Sequence, residues 1–171
     1  MNPDAAAALA RGVCTEFRRR LAEEYVPRIG RCVDQLDEAQ IWQRPSPNCN
    51  SVGNLLLHLA GNVRQWIQGG LAGQTDQRDR PAEFAASGDG APGTSDALMA
   101  QLTETVAEAC AIVDGLTAES LLEERGFQGG RYRETALGAV LHVLEHFSGH
   151  AGQIYAWTKQ VTGRDLKFYD L

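Results

Sequence analysis

The histidines are the residues whose type and spacing point to chemistry. His142, His146 and His150 fall in "HVLEHFSGHAGQI", each four residues from the next, while His58 stands far upstream in "NLLLHLAGN". Imidazoles at i and i+4 of a helix lie one turn apart on the same face, where two of them can grip one metal ion. His142 and His146 form one such pair, and His146 and His150 form another. Each step of four residues turns about 40° around a helix, so His142 and His150 diverge by about 80°. One ion is not expected to hold all three.

The neighbours on the helical wheel refine this. Gln153, Trp157, Ala139 and Gly149 fall near the direction of His146. Gly149 removes bulk beside His150, and Gln153 is placed to hydrogen-bond a ligand or a water. Val140, Leu144, Phe147 and Ala151 point elsewhere, as a core face should. On its own helix, His58 lies away from Leu56, Val63 and Ile67, with Asn54, Asn62 and Gln65 within about 40° of it. This polar stripe is either a solvated face or the wall of a polar pocket looking into a helical bundle.

Other chemistries find less support. His142, Glu145 and His146 spell H-x-x-E-H, the inverted zinc-peptidase pattern with Glu as base. That site takes a further carboxylate ligand well downstream, and only 25 residues follow His146. Glu145 therefore reads as a solvated helix residue. There is no G-x-S-x-G, no P-loop and no G-x-G-x-x-G that opens a helix after a strand. Cys14, Cys32, Cys49 and Cys110 show no CxxC spacing and read as reduced, mostly buried thiols. Cys49 has no activating base in view and reads as structural or incidental.

These residues need helices to position them. Leu9, Val13, Phe17 and Leu21 recur at helical spacing, with Pro27 expected to kink or break the helix before Ile29, Val33 and Leu36 resume the pattern. "RPSPNCNS" reads as a loop, with Asn50 or Ser51 as the N-cap of a second helix over about 52–71. Residues 69–93 are polar and rich in Gly, Pro and Asp, so a long loop is expected there. A third helix is predicted over about 95–115, and a fourth from near Glu134 to Val161 or Thr162. The tail "GRDLKFYDL" reads as non-helical, and "RYRET" is too short to assign to a strand. The expected architecture is all-α, a four-helix bundle forming a single domain over residues 1–171.

Composition sets the outer limits. With 171 residues, 43% of them hydrophobic, the chain can bury a sizeable core. A net charge of -6 argues against a nucleic-acid partner, which needs a basic footprint. No apolar run approaches the roughly 18–20 residues of a membrane span. The N-terminus lacks a basic region followed by a long apolar stretch, so a cytoplasmic protein is expected.

His58 in "SVGNLLLHLAGNVRQWI", followed by "HFSGHAGQI" from His146 to Ile154, resembles the DinB/YfiT-like metalloenzyme superfamily of four-helix bundles. "RDRPAEF" after the second helix also resembles a little-characterised DinB-like branch. The resemblance covers nearly the whole chain. It implies that His58, His146 and His150 hold a divalent metal, zinc or nickel, with positions left open for water, and that His142 falls outside this set. Gln153 and Asn62 become candidates for orienting the ligands. The implied function is a metal-dependent enzyme, a thiol-dependent S-transferase or a hydrolase acting on a small molecule, with a low-molecular-weight thiol as partner. A homodimer is also implied. The alternative is a non-catalytic stress-related or interaction protein whose metal is structural or vestigial.

Overall fold

The computed structural model describes residues 2–168. Helix α1 (Pro3–Arg18) starts where the Asn2 side chain accepts the Asp4 N–H, with Pro3 in the first turn, where no donor is missed. It passes through a wide π-helical turn (Arg19–Tyr25) into α2 (Val26–Val33). Arg19, Tyr25 and Val26 all keep right-handed helical backbone angles, so Pro27 does not break the helix as expected. The π turn shifts the carbonyl partners by one residue just before the proline. The missing donor and the bulky ring therefore fall where the hydrogen-bond ladder is already changing register.

After the short α3 (Glu38–Trp42), helix α4 (Val52–Val63) carries His58. Ser51 caps it in a reciprocal box with Asn54. A second π-helical turn (Arg64–Gly69) prolongs α4. Helix α6 (Ser95–Asp114) begins at the Thr94 cap, and α8 (Ala136–Thr162) begins at Thr135 and ends at Gly163, whose φ of 65° suits a glycine C-cap. The α1–α2 unit, extended α4, α6 and α8 form the four-helix bundle. α4 packs on α6 and α8, α1 on α6, and α2 on α8. Phe17, Ile29, Leu59, Leu102, Phe147 and Ile154 are fully buried between them.

Two local elements depart from the expectation. Residues 69–93 are not one long loop, because α5 (Arg80–Ala85) forms inside them. Asp79 caps the Ala82 N–H and Pro81 pre-sets the first turn. Asn54 then pins this short helix onto α4: its amide donates to the Glu83 and Ala86 carbonyls at 2.9 and 2.8 Å. The second element follows α7 (Ala118–Leu122). Strands β1 (Glu124–Phe127) and β2 (Tyr132–Thr135) pair as an antiparallel hairpin, with "RYRET" contributing the second strand. Gly129 and Gly130 supply the positive φ its turn needs. A hairpin this short is marginal in water. Here it is anchored by buried Phe127, stacked 4.8 Å from Trp66 and lying over Gly70, where any Cβ would collide with the ring.

The tail from Gly163 to Phe168 is non-helical, as expected, and residues 169–171 lie outside the described residues. Among the described residues no helix is long and apolar enough to cross a membrane. Cys14, Cys32 and Cys110 are buried and Cys49 is exposed, all four as free thiols. Burial pushes the Cys32 and Cys110 thiols up to about 11, which keeps them protonated and inert.

Candidate metal centre

α4 and α8 bring distant histidines face to face. Ring nitrogens of His58, His146 and His150 all lie within 4.8 Å of one another. The ring centroids are 4.9 Å apart for His58 and His146, 5.0 Å for His58 and His150, and 4.5 Å for His146 and His150. The two Nε2 atoms of His58 and His146 are 3.0 Å apart. His58 is only 4% exposed, and Asn54 and Asn62 beside it are buried too. The polar stripe on α4 is therefore a pocket wall and not a solvated face.

A buried ion pair orients His58. Its Nδ1 lies 2.8 Å from Glu83 Oε2, on α5. Arg78 grips the same carboxylate, with Nε 2.6 Å from Oε1 and Nη2 2.9 Å from Oε2, and Nη2, already donating to Oε2, also comes within 3.0 Å of His58 Nδ1. Because Glu83 is an acceptor, the proton belongs on Nδ1, and Nε2 is left with a lone pair aimed at the cluster. Burial tends to raise the Glu83 carboxyl. Hydrogen bonds from His58 and Arg78, with the Arg78 charge, outweigh it and hold the carboxyl below its usual range. Gly61 makes this approach possible, since a Cβ there would collide with Glu83 Oε1. Gln65 completes the setting by accepting from Arg78 Nη1 at 3.0 Å.

The α8 histidines are kept neutral. Burial, then the nearby His150, His58 and His142, push His146 down to about 3. Burial also lowers His150, against a hydrogen bond to Gln153 that favours its proton. Gln153 Oε1 lies 2.9 Å from His150 Nδ1, one turn along α8, and fixes that ring as Glu83 fixes His58. His146 Nδ1 is buried without a partner. Neutral, inward-directed imidazoles are what a divalent ion of borderline softness requires. The residues present therefore fit a metal, and this three-His cluster could hold one.

Of the expected residues, the fold gathers His58, His146 and His150, and it places Gln153 against His150. Asn62 serves His142 instead: its Nδ2 lies 3.3 Å from His142 Nε2, and its Oδ1 has no partner. His142 stands beside the cluster, its ring centroid 4.2 Å from that of Trp66 and tilted 37° to it. A cleft of about 350 Å³, lined by His142, Glu145, His146, Gly149, His150 and Gln153, opens over the α8 side. A Cβ at Gly149 would meet nothing within 4 Å, so this glycine does not relieve a clash beside His150. It leaves the mouth of the cleft clear.

The sequence assigns no role to Glu83 or Arg78, although both fall in the "RDRPAEF" stretch that resembles the DinB-like branch. The segment reads as loop, and nothing in its periodicity ties it to His58, 25 residues before Glu83. The usable signal was the Asp79–Arg80–Pro81 start of a helix, followed by a carboxylate in its first turn.

A family model for the DinB superfamily matches residues 28–154. No curated protein matches the chain. A DinB-like protein from Bacillus cereus ATCC 10987 superimposes with a TM-score of 0.61 at 14% identity, over 81% of this chain and 87% of that one. Another, from Bacillus subtilis, gives 0.63 at 15% identity, over 90% and 93%. These similarities concern the fold, and the family match spans both the His58 helix and the α8 histidines. The chain belongs to the DinB superfamily.

Proposed function

We propose that this protein is a metal-dependent enzyme that transfers a group to a small thiol or to water. The observation that carries this reading is the gathering of three imidazoles, two of which, His146 and His150, line an open cleft of about 350 Å³. His58, His146 and His150 would hold a divalent ion, which would supply Lewis acidity toward a bound water or thiol near neutral pH. The chain's own residues do the positioning. Glu83 and Arg78 hold the His58 ring, and Gln153 holds that of His150. His142, braced by Trp66 and Asn62, faces the same cleft. Zinc and nickel suit the all-nitrogen donor set.

Turnover of a panel of electrophiles, with a low-molecular-weight thiol or with water, should appear in metal-loaded protein and vanish in stripped protein. Equal activity in both states would sink the reading. A non-catalytic protein with a structural metal is the competing reading. Glu145 is the one carboxylate among the residues lining the cleft, which leaves few protein groups to act as acid or base. Coordination number separates the two: a fourth protein ligand argues for the structural role, and an exchangeable position argues for the enzyme.

A further inference from the structure

A second, separate hollow of about 320 Å³ lies between the start of α4, the loop before it and the last turns of α8. Pro45, Leu55 and Trp157 give it an apolar lining, and Asn50, Gln153 and Gln160 give it amides. No charged residue lines it. Gln153 lines both this hollow and the cleft over His146 and His150, so the two adjoin at that side chain. Its Oε1 is committed to His150 Nδ1. An amide carries two donors on its other arm, and these remain for a ligand crossing from cleft to hollow. The Trp157 indole N–H is sealed from solvent with no acceptor, so what Trp157 offers the hollow is its ring. Ligand sites of this kind bind an apolar body through a few placed polar groups.

We infer that this hollow holds the tail of the substrate whose reacting head sits at the histidine cluster, and that the tail is uncharged, partly apolar and hydrogen-bond-accepting, as an amide- or ester-linked aromatic group is. The inference rests on the reading of the cluster as a metal centre. Apolar walls favour the body of such a tail, the amide donors meet its carbonyl, and a charged tail would be desolvated without a counter-ion.

Calorimetry on zinc-loaded protein tests it with three hydroxamates sharing one chelating head. These are acetohydroxamate, 3-(benzoylamino)propanohydroxamate with a neutral amide-linked tail, and succinohydroxamate with a carboxylate tail. The neutral tail should tighten binding about tenfold or more over acetohydroxamate, the scale of a well-buried aromatic ring, and the carboxylate should not. In an Ala156→Phe variant, which fills the hollow, the ratio of neutral-tailed to short hydroxamate should fall to about one. The indole Nε1–H resonance of Trp157, assigned by its loss in Trp157→Phe, should shift with the neutral-tailed ligand and not with acetohydroxamate. Equal affinities for the neutral-tailed and short hydroxamates, or a ratio unchanged by Ala156→Phe, overturn the inference while leaving the metal centre intact. If no hydroxamate binds protein shown to contain zinc, the metal-centre reading fails, and this inference fails with it.

Discussion

Glu83 Oε2 stands 2.8 Å from His58 Nδ1, with both side chains buried where α5 meets α4 and with Arg78 holding the carboxylate. The carboxylate sets which nitrogen of His58 carries the proton and therefore which nitrogen faces the cluster. Outer partners of this kind typically contribute 10–100-fold to metal affinity. Glu83→Gln should weaken zinc binding by about that factor, measured by competition with a chromophoric chelator, with helicity by circular dichroism unchanged. Unaltered affinity would show that His58 needs no such partner. His58→Ala should lose most of the bound metal, and full occupancy in that variant would remove His58 from the site.

Two glycines should respond in opposite directions to alanine. A Cβ at Gly61 would press on Glu83 Oε1 and lie 2.9 Å from Arg78 Nε. Gly61→Ala should cost about 1–3 kcal/mol of stability by overpacking and weaken zinc binding by displacing Glu83 from His58. Gly152, exposed in the middle of α8, has nothing within 4 Å of its added Cβ. Gly152→Ala should stabilise by about 0.5–1 kcal/mol through helix propensity alone. Urea unfolding of both metal-stripped variants checks the two signs, and destabilisation by Gly152→Ala would contradict the open environment seen there.

The metal-stripped protein should lose stability as pH falls. His146 is held at about 3 in the folded chain by burial and by its histidine neighbours. An unfolded histidine titrates near 6.5. Between these values the unfolded chain takes up a proton that the folded chain refuses. Stability from this group is full above about pH 6.5 and is lost progressively toward about pH 3. His142 and His150, both lowered first by burial, act in the same sense. Glu83 adds to the loss only at lower pH, as the solution falls through its depressed carboxyl range. Denaturation midpoints should drop between about pH 7 and about pH 5, and His146→Gln should flatten that dependence. A constant midpoint for the unmodified chain would show that these rings are not held neutral by the fold.

Metal should stabilise the chain by mass action. At free zinc about 100-fold above the dissociation constant, the folded state gains about 2.7 kcal/mol. The melting temperature should rise on adding zinc and return on adding a chelator. The same titration on a His146→Gln, His150→Gln double variant should give little rise. A full rise in that variant would place the binding elsewhere.

Much of this site was legible before the fold was known. The four-residue spacing on α8 commits His146 and His150 to one helix face whatever surrounds them, because helical periodicity is local. The same holds for the polar stripe around His58, although periodicity alone could not tell a solvated face from a buried pocket wall. Pro27 misled because its cost depends on whether the preceding turn can change register, and the π turn over Arg19–Tyr25 does so. The hairpin was hidden because four-residue strands carry little pattern of their own, and Phe127 holds them only by packing on Trp66.

The sequence by itself determined the bundle helices, the α8 pair and, through resemblance, the identity of the third histidine. Only the tertiary structure decided that Glu83 and Arg78 stand behind His58 and that Asn62 turns to His142. Only it showed that Gln153 joins the cleft to the hollow beside Trp157. The reason is physical. A helix face follows from residues three and four apart, whereas a buried ion pair between α4 and the 78–83 segment depends on where Asn54 docks α5. That docking is a long-range contact to which no local period corresponds.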